Sequence, residues 1–118
     1  MDNIFKNRAI RSLCPTLNFM MSNDTVILLD DGGTLPSDDD INAEIIIIKN
    51  IYAFEQLRSI RNNLLTSSDK YMLVDFPITS EQKELWITYR QTLRALPDSL
   101  TGQTLDITNL NQYFPTPP

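Results

Sequence analysis

With 118 residues, 42% of them hydrophobic and 21% charged, the chain has the length of one modest domain and enough apolar content to bury a core, which excludes wholesale disorder. Its 15 acidic residues outnumber its 10 basic ones for a net charge of −5, which disfavours nonspecific attraction to nucleic acid or anionic lipid and points to protein partners. Histidine is absent and Cys14 is the only cysteine, so imidazole-dependent hydrolases, histidine-ligated zinc and an internal disulfide are all excluded.

The amino-terminal stretch, residues 1–24, shows no sustained helical or strand period, although Leu17, Phe19 and Met20 suit a short strand. It reads as an arm or docked extension. Its apolar part, 13–21, is interrupted by Pro15, Thr16 and Asn18 and lacks a small-residue cleavage site, so no signal peptide is expected. Cys14, between Leu13 and Pro15, reads as a small buried residue. Residues 25–29 (TVILL) are β-branched and apolar, and Asp30-Asp31-Gly32-Gly33 supplies turn chemistry, which predicts a strand ending in a turn.

Ser37 to Asp40 offers a helix cap and negative charge where the helix dipole favours it, and Ile41, Ile45, Ile48 and Tyr52 follow at helical spacing. The spacing predicts a helix from about Asp39. The isoleucine run 45–48 would also suit a buried strand, since β-branching restricts χ1 in a helix; flanking Ala43, Glu44 and Lys49 favour the helix. The run is far shorter than the roughly 20 apolar residues that span a bilayer, so no membrane segment is expected. Leu57, Ile60, Leu64 and Leu65 continue an apolar stripe, but the step from Tyr52 shifts it, predicting a rotated face or a kink.

Thr66-Ser67-Ser68-Asp69 ends that helix, and Pro77 holds Phe76 extended, so 70–78 is expected to be an ordered loop. Thr79 with Gln82 forms a capping-box pattern that opens a second helix, from Ser80 to about Ala95. Leu85, Trp86, Tyr89, Leu93 and Leu96 lie on one broad stripe of it, and Pro97-Asp98 is expected to stop it. The two helices should form a hairpin, paired through Leu64, Leu65, Leu85, Tyr89 and Leu93. Residues 99–111 hold few large apolar side chains, and Tyr113-Phe114-Pro115-Thr116-Pro117-Pro118 reads as an extended, polyproline-like tail. The expected class is α+β: an amino-terminal arm with short strands (1–38), a helical hairpin (39–97) and an extended carboxyl tail (98–118).

Signals of chemistry are weak. Asp38, Asp39 and Asp40 diverge on a helix and have no spaced acceptors after them, so they read as a solvated cap, not a cation loop. Asp30-Asp31-Gly32-Gly33 lacks the phosphate-loop pattern, and its aspartates would repel phosphate. Trp86, Tyr89 and Arg90 could stack on bases only from an electropositive surface, which this acidic chain does not advertise. No catalytic residue, metal or cofactor is therefore expected. A carboxylate-only enzyme, acting on glycans for example, would need two acids across a cleft, and nothing in the pattern places them so.

The pattern Arg58-x-x-Arg61-Asn62-x-Leu64-Leu65-x-x-Ser68-Asp69, followed by Trp86-x-x-Tyr89-Arg90-Gln91-x-Leu93-Arg94-x-Leu96-Pro97, resembles the phage tail assembly chaperones and the related tail fibre assembly proteins. The ending Phe114-Pro115-Thr116-Pro117-Pro118 is similar to the tryptophan–proline ending common in them. The chain departs from the family's frequent Ser-Asp-Trp by having Ser68-Asp69-Lys70-Tyr71, and from its terminal tryptophan by having Phe114. The resemblance implies a non-enzymatic protein that assists folding, trimerisation or attachment of tail, fibre or baseplate proteins in the host cytoplasm. The same resemblance also fits a permanent structural component of the virion tail. The residues expected to meet a partner are Trp86, Tyr89, Arg90 and Arg94, with Tyr113, Phe114 and Pro115 of the tail. Aromatic residues and arginine are enriched at interfaces because they offer area and directional donors. The blander reading of Arg90 and Asn62 is that they tie the hairpin together, with Asp69 or a helix carboxyl end as acceptor. The interrupted apolar stripe leaves self-association open.

Overall fold

A computed structural model describes residues 2–23, 25–29 and 33–118. The elements run in the order α1 (Asp2–Leu13), β1 (Phe19–Ser22), β2 (Thr25–Leu28), α2 (Asp38–Ser68), a 3-10 turn (Asp69–Met72), α3 (Ser80–Ser99) and a second 3-10 turn (Leu110–Tyr113). The class is α+β, with a small two-stranded sheet ahead of two long helices. The chain divides into two compact units, Met1–Ile51 and Tyr52–Pro118, and the boundary falls inside α2.

In the first unit, β1 and β2 pair antiparallel, with Phe19 opposite Leu28 and Ser22 opposite Thr25. Asn23 takes φ of 54°, the left-handed conformation that a tight hairpin demands and asparagine tolerates. Alternation along β1 turns Phe19 and Met21 inward and leaves Met20 exposed. The inward residues join Ala9, Ile10, Leu17 and Ile41 in one apolar cluster, with half-buried Cys14, Ile45 and Ile48 against it. Residues 1–24 are thus not a bare arm, because α1 precedes the sheet and buries Phe5, Ala9 and Ile10. Their spacing is helical, but only three residues carry it among asparagines and basic residues, a period too short to stand out in the sequence. The helix ends where Pro15 removes an amide, and Arg11 reaches from its last turn to the Leu17 carbonyl at 2.7 Å, its guanidinium 4.3 Å from the centre of the Phe19 ring. The predicted turn at Asp30 to Gly32 lies outside the described residues.

Ser37 caps α2, its hydroxyl accepting the Asp40 amide at 3.1 Å, and Asp38, Asp39 and Asp40 sit in the first turn, where the helix dipole favours them. The isoleucine run is helical, and only one side of it is used: Ile45 and Ile48 pack on the first cluster while Ile46 and Ile47 are exposed. Beyond it the stripe changes register, and Ala53 and Leu57 serve a different cluster in the second unit. The sequence-predicted shift near Tyr52 coincides with the boundary between units.

The second unit is closed by the segments that flank α3. Thr79 and Gln82 form the predicted capping box, each side chain bonding the other's amide at 3.1 Å. α3 does not stop at Ala95 but runs to Ser99, through Pro97. Proline is tolerated there because it falls in the last turn, where little helix remains to be broken. The chain then turns through Gly102, whose φ of 86° suits glycine alone, and Leu105 and Leu110 return to pack with Ala53, Leu57 and Leu96. Residues 99–111, with few large apolar side chains, therefore still contribute Leu105 and Leu110 to the core. Replacing Thr79 with alanine should cost about 1 kcal/mol in urea denaturation, whereas Thr79→Ser should be close to neutral because the capping oxygen is kept.

Candidate binding site at the closed end of the helical hairpin

A helix leaves its last carbonyls without intrahelical donors, and α2 has no basic residue in its last turn to answer them. α3 supplies one. Arg90, only 7% exposed, donates from Nη1 to the Leu65 carbonyl at 2.6 Å and to Ser68 Oγ at 2.7 Å, and from Nη2 to Asp69 Oδ1 at 2.7 Å. Ser68 in turn donates to the Leu64 carbonyl at 2.8 Å. The planar guanidinium can satisfy a carbonyl, a hydroxyl and a carboxylate at once, which an ammonium on a flexible stem would do poorly. Arg90 Nε is buried without a protein acceptor, and that offsets part of the gain. The Asp69 side chain is 63% exposed, so screening makes the ion pair a lesser contributor than the bonds to Leu65 and Ser68.

One turn before Arg90 on α3, Trp86 stacks on Tyr71 of the 3-10 turn with ring centroids 4.0 Å apart and planes at 9°. Tyr71 also meets Phe76 edge-on at 5.1 Å, and Trp86 meets Tyr89 edge-on at 5.5 Å. Four rings thus line the closed end of the hairpin. Burial pushes the Tyr89 phenol above its usual value. Tyr71 and Phe76 were not among the site residues expected from the sequence; the available signal was an aromatic residue two positions after Ser68-Asp69, close to where the resembling family has tryptophan.

The predicted partner residues are thus placed unequally. Trp86, Tyr89 and Arg90 come together, with Arg90 turned inward on the α2 terminus as the blander reading had it. Arg94 is exposed on the following turn of α3. Tyr113 is half-buried, and its hydroxyl accepts the Asp106 amide at 2.8 Å. The Asp106 carboxylate accepts the Thr108 hydroxyl and amide, which hold its pKa below the usual range. Phe114 and Tyr113 pack against the cluster built on Leu57 and Leu96, and Pro115 follows beside α3. Asn62 does not bridge the helices, since it accepts from Arg61 on its own helix. Leu85, expected between the helices, is 58% exposed, and Val74, in the loop before α3, is 97% exposed. Leu73 is likewise 56% exposed, so three large apolar side chains of the loop and of α3 face solvent, which a loop assignment alone did not reveal.

Residues 54–108 match the model of the phage tail assembly chaperone protein family. The matched span begins within two residues of the second unit and contains Arg90, Ser68 and the four rings. No curated protein and no solved structure matches the chain significantly. The match lies within the second unit and supports a role in phage tail assembly.

Arg90→Met should destabilise the second unit by on the order of 3 kcal/mol, since it strips the charge-assisted bonds from a buried carbonyl and hydroxyl. Arg90→Lys should recover only part of this, and Asp69→Asn should cost less than about 1 kcal/mol. Urea titrations of the three variants at neutral pH give the order.

With its folded pKa raised, Tyr89 holds its proton after the unfolded chain has lost it. Its contribution to stability is thus complete below pH about 10 and lost as pH rises through the folded value. The Tyr89→Phe variant should lose less stability than the parent between about pH 9 and about pH 12, the range of tyrosine titration.

Proposed function

We propose that this protein is a non-enzymatic chaperone of phage tail or tail fibre assembly, binding tail, fibre or baseplate proteins through its helical hairpin in the host cytoplasm. The observation that carries this reading is the match of residues 54–108 to the tail assembly chaperone family, over the unit in which Arg90 and the aromatic cluster close the hairpin. Among the described residues there is no cluster of His, Cys, Asp or Glu suited to a metal ion, and no helix is long and apolar enough to cross a membrane.

The hairpin presents to a partner the surface its closure builds. Trp86 and Tyr89 form the wall, Leu73, Val74 and Leu85 provide apolar area beside it, and exposed Arg94 offers a directional cation. A surface of this kind would cover exposed apolar segments of an unassembled tail protein and release them as that protein trimerises or docks.

Two measurements test the proposal. Tail and fibre proteins of the same phage, produced with and without this chain, should form soluble trimers or assembled tails only when it is present; normal assembly without it would overturn the chaperone role. Quantitative mass spectrometry of purified particles should find the chain absent, and recovery at a fixed copy number would identify a permanent tail component instead. Val74→Asp and Arg94→Glu, both on exposed positions, should change stability by no more than about 0.5 kcal/mol. Combined, they should lower capture of the partner at least tenfold in a pull-down.

A further inference from the structure

The last residues of the chain are constrained before they touch anything. Pro115, Pro117 and Pro118 have fixed φ, and Phe114, Thr116 and Pro117 each precede a proline, which drives them to extended or polyproline conformation. Phe114 has φ of −86° and ψ of 143°, close to polyproline II geometry. From there the tail runs beside α3. Pro115 and Pro118 share with Leu85 and Tyr89 the walls of one cavity of about 270 Å³, and Pro117 shares with Tyr71, Trp86 and Tyr89 the walls of another of about 290 Å³.

Two features mark this arrangement as a filled but replaceable site. Among the described residues, 115–118 make no hydrogen bond to the rest of the chain, the last such tie being the Phe114 amide to the Asn111 carbonyl at 3.2 Å. Instead, its prolines border the same cavities as Leu85, Tyr71, Trp86 and Tyr89, an arrangement like that of the aromatic-lined grooves that take polyproline segments. The two cavities bordered by these prolines leave unfilled space next to the aromatic side chains. A segment with larger side chains between its prolines would fill it better.

We infer that the groove formed by Tyr71, Trp86, Tyr89 and Leu85 is a docking site for an extended, proline-containing segment of a partner polypeptide, and that the chain's own residues 115–118 are its resident competitor. The inference rests on the proposed role in binding tail proteins and names the chemistry of the segment bound. A tethered tail acts at an effective concentration on the order of millimolar. It therefore shields the aromatic wall from weak encounters and yields to a segment that binds more tightly.

The test uses the chain's own tail as probe, so its outcome does not depend on which tail protein is the partner. A synthetic peptide of residues 111–118 contains no tryptophan, which leaves Trp86, the only tryptophan, as the fluorescent reporter. The peptide is titrated into the full chain and into the variant Pro115→Ser, Pro117→Ser, Pro118→Ser. It should bind the variant at least about tenfold more tightly than the parent, because the resident tail no longer occupies the open fraction. Adding Tyr71→Ala to the variant should abolish binding, and a peptide with its prolines replaced by serine should not bind. Should the triple variant lose its helical circular dichroism, Pro117→Ser alone serves in its place and should give the same direction. Equal affinity for parent and variant would overturn the inference, as would failure of a folded variant to bind. A concentration-dependent dimer of the parent that disappears in the variant would overturn it too, by assigning the groove to the tail of a second copy.

Discussion

A long helix that ends inside a folded unit must dispose of carbonyl oxygens that have no amide to accept from. α2 meets this constraint with a residue that is distant in sequence. The Arg90 guanidinium sits on its final turn, bonded to Leu65 and to Ser68, and it brings a positive charge to the negative end of the helix dipole. Since a fork of donors has to meet a carbonyl and a hydroxyl together, the register of α3 along α2 is set to within one residue. Trp86, a turn earlier on the same face, then falls on Tyr71, and Leu96 falls where Ala53 and Leu57 can pack against it. The aromatic cluster and the core are in this sense both consequences of how one helix end is satisfied.

The same helix also shows why the matched family span and the folded unit differ. Residues 54–108 hold the carboxyl part of α2, all of α3 and the Arg90 lock, but the cluster around Leu57 is finished by Leu110, Tyr113 and Phe114, which lie beyond it. A unit of this size buries a small core, and removing its last apolar contributors takes away a large share of it. The Asp106 turn serves that closure, since its backbone amide is the donor that fixes the Tyr113 hydroxyl. Residues 109–114 thus belong to the fold, whereas residues 115–118 lie outside its apolar cluster.

Much of this was legible in the amino-acid sequence because it depends on short-range chemistry. The Thr79–Gln82 box, the Ser37 cap, the two strands and the end of α2 near Ser68 are all written in neighbouring residues. The helical isoleucine run was legible from its flanks despite β-branching. Three things were not. α1 has too few apolar positions to show a period, although the pair Phe5 and Ala9 is at helical spacing. α3 passes Pro97 because the cost of proline depends on where in a helix it falls, and only the structure shows that this is the last turn. Leu105 and Leu110 show no helical or strand period with Leu100 and Ile107, so their burial depends on the turn at Gly102 that returns them to Leu96, a long-range event with no local signature. At the site, the side chains of the Trp-x-x-Tyr-Arg pattern were visible, but the partners that decide their roles, Tyr71, Ser68 and the Leu65 carbonyl, lie outside α3.

Those roles bear on how such a pattern should be read as a sign of binding. A residue can be needed for recognition because it touches the partner or because it shapes the surface that does. Arg90 spends its donors within the chain and is almost wholly buried, so a partner cannot engage it without dismantling the α2 terminus. Trp86 is intermediate in exposure, stacked on one ring and edge-on to another. Under the proposed role, the pattern then builds a rigid aromatic wall, and residues the pattern leaves unspecified, such as Val74 and Leu85, add contact to it together with exposed Arg94. Under the same proposed role, the loop before α3 would be free to vary with the partner while the hairpin that carries it stays the same, because its exposed Leu73 and Val74 side chains are not part of the buried cluster.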